Sequence, residues 1–198
     1  LIELDSTNPL IYQHLGVCLQ DGGRFDEARR LYLLAIENGV ETDRIYAELG
    51  EVNIRMGRLE AGTEALRHSI ELNPANLDNF ANLANAYLQL GRFDDADDAI
   101  KAILAQKKTH AGAHNLQGLL YISKRQPMLA RKSFEEAVEY DPDLVEPYMN
   151  LGLLAQLAGQ RGEALRYFKL FLEKATDERF RETVPKVQAA VRELESGR

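Results

Sequence analysis

Small and aromatic residues recur in this chain at an interval of 34 positions, five times in succession, with no insertion or deletion. Gly16, Gly50, Ala84, Gly118 and Gly152 hold one register, and Ala28, Gly62, Ala96, Ala130 and Ala164 hold a second. Tyr12, Tyr46, Phe80 and Tyr148 hold a third, with His114 taking the aromatic place in the fourth copy. A unit of this length cannot bury its own apolar face, so each copy must cover the next. The period therefore selects a solenoid, a fold that presents surface, and it points to binding.

Apolar spacing of three and four makes the units helical. Tyr12, Leu15 and Leu19, and likewise Tyr46 and Leu49, mark one stripe in each first helix. Gly22-Gly23, Gly57, Gly91 and Gly159 fall where a helix ends on a left-handed residue, and Asp26-Glu27 and Asp94-Asp95 open the following helices with favourable charge. Glycine or alanine at the eighth and twentieth positions lets two antiparallel helices cross closely. No segment carries a strand pattern.

In register the repeats run 9–42, 43–76, 77–110, 111–144 and 145–178, and each resembles the tetratricopeptide repeat. Repeat 3 is nearly complete, with Phe80, Leu83, Ala84 and Tyr87, then Gly91, then Phe93, Ala96 and Ile100. Repeats 2 and 4 close on Asn73-Pro74 and Asp141-Pro142. The departures are Gly62 and Ser69 for alanines, Gln117 for a core leucine, and Arg125 with Pro127 for the turn glycine and aromatic of repeat 4, the least regular unit. The resemblance implies an all-α fold, a right-handed alpha-alpha superhelix. Residues 1–8 match the tail of a preceding repeat, so the chain is expected to begin inside a longer array. In 179–198, Phe180, Val184, Val187, Val191 and Leu194 form one apolar stripe, which predicts a capping helix with Pro185 in its first turn and Thr183 as N-cap.

The chain is 45% hydrophobic and 28% charged, with no apolar run long enough for a membrane span, which fits a soluble helical protein and favours the cytoplasm without fixing the compartment. A net charge of −7 argues against nucleic acid as a partner. Cys18 is the single cysteine and is expected to be a buried structural thiol. His110 and His114 stand four apart, a spacing that can hold a metal, but the first falls in a turn and the second in the aromatic packing position. No phosphate loop, nucleophile motif or isolated carboxylate pair is present, so neither catalysis nor a cofactor is expected.

The second, fifth, sixth, ninth, twelfth and thirteenth positions of each first helix face away from its partner helix, and in tetratricopeptide arrays such positions line the concave side. Here they include Gln13, Arg44, Glu48, Arg55, Asn82, Asn85 and Gln89 in repeats 1 to 3. In repeats 4 and 5 they include Asn115, Leu116, Leu119, Met149, Asn150, Leu153 and Leu157, so polar character gives way to apolar. Asparagine amides suit an extended backbone, since each offers donor and acceptor. The leucines and Met149 suit apolar anchors or packing between first helices. The lysines and arginines of carboxylate-clamp relatives are missing, their places taken by Asp78, Ala81, Asn82, Gly112, Asn115 and Leu116. The expected partner is a protein or peptide segment; the alternatives are a docking arm of a longer enzyme, such as a glycosyltransferase, and a scaffold that self-assembles into homo-oligomers.

Overall fold

The computed structural model describes residues 7–196. Residues 1–6, read above as the tail of an earlier repeat, lie outside them. Among the described residues the chain is all-helical. The helices are α1 (Pro9–Asp21), α2 (Phe25–Glu37), α3 (Asp43–Arg55), α4 (Leu59–Leu72), α5 (Leu77–Gln89), α6 (Phe93–Gln106), α7 (Ala111–Ser123), α8 (Pro127–Tyr140), α9 (Glu146–Leu157), α10 (Arg161–Lys174) and α11 (Thr183–Ser196). A 3₁₀ turn at Glu178–Phe180 precedes α11.

Local chemistry sets the helix ends. Asn8, Thr42 and Asn76 accept hydrogen bonds from the backbone N–H groups of Leu10, Ile45 and Asp78, capping α1, α3 and α5. Asn73 and Asp141 accept from the N–H groups of Ala75 and Asp143, turning the chain between repeats. The hairpin turns of repeats 1, 2, 3 and 5 close on glycines with φ between 70° and 74°. Repeat 4 has Arg125 at the same place, and it adopts φ 57°. The backbone of this repeat is consequently as regular as the others, with α7 of 13 and α8 of 14 residues matching α3 and α4.

That regularity has an energetic cost, because a side chain in the left-handed region loses about 1–2 kcal/mol. Arg125→Gly is expected to raise stability by about 1 kcal/mol, part of the relief being offset by glycine's freedom in the unfolded chain. Urea unfolding of the two proteins would measure it, and equal midpoints would show that the turn carries no strain.

The chain divides into two compact units, Leu1–Ile103 and Leu104–Arg198. In the first, Tyr12, Tyr32, Ile45 and Val52 are fully buried. In the second, Phe134, Phe168 and Phe171 are fully buried, and Phe180, Val187 and Val191 join the same core from the C-terminal segment. Phe180 stands edge-on to Phe171 with centroids 5.6 Å apart. Thr183 is the first residue of α11 rather than its cap, because the chain turns at Arg181–Glu182 after the 3₁₀ turn, and Pro185 sits within the opening turn.

The small residues at helix crossings have direct steric cause. A Cβ on Gly152 would stand 2.5 Å from the Phe168 ring, and one on Gly50 would stand 2.7 Å from Leu66 Cγ. Polar departures from the repeat pattern are paired inside the fold. Gln117 Oε1 accepts from the Ser133 hydroxyl at 3.1 Å. The Ser69 hydroxyl donates to the Asp43 carbonyl at 2.6 Å and accepts from Asn79 at 2.7 Å. One expectation fails: Cys18 is exposed. Tyr12, Gly16 and Leu19 of α1 are buried, and Cys18, one residue before Leu19 and about 100° round the helix, points off that stripe.

Candidate functional site

In the first unit the sequence-selected polar residues fall into two groups. Asn82, Asn85 and Gln89 are exposed along α5, and their amides make no hydrogen bond within the described residues. Successive asparagines at the sixth and ninth positions lie on one helix face, so α5 offers a row of free donors and acceptors. Glu48 and Arg55, in contrast, are already engaged. The Glu48 carboxylate accepts from Gln20 Nε2 at 2.9 Å, stands 3.5 Å from the Tyr32 hydroxyl, and has Arg44 at 3.8 Å. Arg55 binds Glu51 through two guanidinium nitrogens at 2.7 and 3.0 Å and stacks over the Phe25 ring at 5.8 Å.

Gln13 is 8% exposed, so it does not offer groove surface as the register implied. Helix α1 packs against α3 as well as α2. At the fifth position of α7, Asn115 Oδ1 accepts from Asn150 Nδ2 of α9 at 3.3 Å. Leu116 is also buried.

Tyr32 lies beneath this polar group with no exposed surface. Burial, reinforced by the Glu48 carboxylate, pushes its phenol above the usual range. Below about pH 10 the phenol is protonated folded or unfolded, but above it only the unfolded chain ionises. Stability is therefore expected to fall as pH rises from about 10 toward the raised folded value. Tyr32→Phe should flatten that alkaline decline, and denaturant midpoints at neutral and alkaline pH would show it; an unchanged slope would mean that other tyrosines, such as Tyr148 and Tyr167, dominate.

In the second unit the apolar candidates separate by exposure. Leu119 and Met149 are half-buried against the core, while Leu153 is 45% and Leu157 is 85% exposed. Leu157 edges a cavity of about 590 Å³ formed with Pro127, Met128, Leu154 and the N-terminal turn of α10. Met128, which sequence reasoning missed, is 78% exposed there. The signal for this cavity was Pro127: the same register in repeat 1 holds Phe25, whose ring lies under Arg55. Arg131 borders the cavity, tied to Gln160 at 3.0 Å, Glu135 at 2.9 Å and Glu163.

Both interior histidines serve the fold. His110 Nδ1 caps α7 by accepting from Ala113 N–H at 3.0 Å, and His114 Nε2 donates to the Lys108 carbonyl at 2.8 Å while its ring packs on Tyr140. Among the described residues no three metal-ligating side chains converge, and no helix is long and apolar enough to cross a membrane.

Models of the tetratricopeptide repeat match residues 53–120 and 111–144. The chain is 28% identical to human Superkiller complex protein 3 over 114 residues, which is 56% of this chain and 7% of that protein. It is 24% identical to human Protein O-mannosyl-transferase TMTC1 over 193 residues, 95% of this chain and 22% of that protein. It thus spans about a fifth or less of these relatives' length. Among solved structures, a thermophilic TPR protein of Thermus thermophilus superposes with a TM-score of 0.75 at 22% identity, covering 91% of this chain and 98% of that one.

Proposed function

Since the chain belongs to the tetratricopeptide repeat family, we propose that it is a non-catalytic scaffold that holds a peptide or protein segment along the exposed faces of its first helices. The fold is that of a protein-interaction scaffold. The observation that carries the finer reading is Leu157, a large apolar side chain 85% exposed beside an open cavity that Met128 also borders. Scattered apolar residues are ordinary on a surface, but a cluster at the mouth of a cavity is what an anchor-binding site requires. The free amides of α5 add backbone recognition in the first unit.

The test is capture from a native lysate with mass spectrometry, comparing the wild type with a variant carrying Asn82→Ala, Asn85→Ala, Leu153→Asp and Leu157→Asp. Partners that bind both proteins equally would remove these faces from the binding site.

The O-mannosyl-transferase match favours a second reading. Because it covers 95% of this chain and 22% of that protein, the segment can be the docking arm of a longer enzyme, presenting a protein substrate to chemistry carried elsewhere.

A further inference from the structure

Three cavities of the first unit run together across the outer face of α4. One of about 290 Å³ lies between α2, α3 and α4. A second of about 140 Å³ sits on α4 and shares Glu64 and His68 with the first. A third of about 310 Å³ lies between α4, α5 and α6 and shares Arg67 and Glu71 with the second. These shared residues make the three neighbours along one track, and none of Arg44, Arg55, Asn82 or Asn85 lines it.

The two end cavities are the same structure in successive repeats. Tyr46, Leu49 and Glu64 line one, and Phe80, Leu83 and Asp98, each one repeat later in sequence, line the other. Each therefore combines an aromatic and an aliphatic wall with a carboxylate at the mouth. Glu64 and Asp98 are exposed and have no cationic partner within the described residues. Glu71 and Asp95 also border the track but are partly answered, Asp95 by Arg92 at 2.7 Å and Glu71 by His68 at 3.4 Å. Arg67 and an Arg29 held by Asn53 at 3.1 Å supply its cations, so Glu64 and Asp98 are the carboxylates left to a ligand. The segment 1–103 as a whole has eighteen acidic and nine basic residues.

Geometry and charge together specify an occupant. The end cavities flank one helix, and an α-helix with its side chains is about 10 Å across. A polyproline II segment advances about 9 Å in three residues and returns to the same face. We propose that this track binds an extended basic segment of a partner protein, in polyproline II conformation, which crosses α4 and places apolar side chains three residues apart into the two end cavities. Its flanking lysine or arginine residues meet Glu64 and Asp98, an attraction weakened by salt.

The probe is a fluorescent peptide repeating lysine, leucine, proline, so that its leucines stand three apart. Saturable binding to the full chain is expected by anisotropy, at least about tenfold weaker for a peptide with glutamate replacing lysine, or with leucines two apart. Glu64→Lys with Asp98→Lys should weaken the first peptide by about tenfold or more, and Glu64→Gln with Asp98→Asn by less. Asn82→Ala with Asn85→Ala should leave it unchanged, which separates this surface from the one proposed above. Circular dichroism would check each fold, and if charge reversal unfolds the chain the neutral pair decides. Absence of saturable binding, indifference to both Glu64/Asp98 variants, or loss on the asparagine changes would overturn the proposal. So would self-association of the chain that Glu64→Gln with Asp98→Asn abolishes, since the track would then be covered by a second copy.

Discussion

Replacing Gly152 with leucine is expected to lower stability by about 3 kcal/mol, the upper end for overpacking a core, and to lower the melting temperature by roughly 6–12 °C. The Cβ alone would meet Phe168 Cδ1 and Cε1 at 2.5 Å, closer than real Cβ atoms stand, and Phe168 is fully buried with no room to retreat. Gly152→Ala therefore already costs about 1–3 kcal/mol. Repeat 3 shows what relieves it: the same two registers hold Ala84 and Ile100, both fully buried. Phe168→Ile is accordingly expected to recover part of the loss from Gly152→Ala, a coupling of about 0.5–3 kcal/mol in a double-mutant cycle. Thermal unfolding of the four proteins measures it, and additive losses would show that the helices part to admit the methyl group.

With a partner in hand, the two sets of exposed residues are expected to fail in different ways. Asn82→Ala with Asn85→Ala should weaken an extended ligand by about 1–3 kcal/mol, from lost hydrogen bonds and the partner groups left unpaired. Leu153→Asp with Leu157→Asp should remove binding through an apolar anchor, a loss of about 2 kcal/mol or more, because a carboxylate would have to be buried under the incoming side chain. Met149 is a poorer choice than the register suggested, since it packs against the core and its replacement would perturb the fold. Titration calorimetry with an identified partner segment separates the contributions. If both pairs bind as the wild type does while Glu64→Gln with Asp98→Asn does not, the outer face is the one in use.

The repeat was legible because its signals are local. A 34-residue interval, turn glycines and apolar spacing each depend on residues within one hairpin, and the structure has helices and left-handed turns where they place them. Features formed by three helices were not legible. Gln13 looked like groove surface from α1 alone, yet it is buried. The register of Glu48 does not show that Gln20 and Arg44 engage it. At Cys18 position outweighs residue type: cysteine is usually buried, but the stripe of α1 passes it by. The outer track escaped for a related reason, since its walls come from helices of two repeats and its mouth residues look like ordinary solvated charges. Pro127 was the departure whose consequence could have been followed, as it stands beside the cavity in the register where repeat 1 has Phe25.

The pairing of a vacant eighth position with a large residue across the hairpin bears on how such a chain can change over generations. Gly118 faces Phe134 and Gly152 faces Phe168, while Gly50 faces Leu66. Neither residue of a pair is free to vary alone: a larger eighth residue collides, and a smaller partner leaves a void that costs stability in proportion to its volume. What must change is thus a pair rather than a residue, and Ala84 with Ile100 is a second solution to the same crossing. Each single step passes through a weakened form, so hairpins sheltered by stable neighbours can explore new pairs, while those at an open edge are held to the one they have.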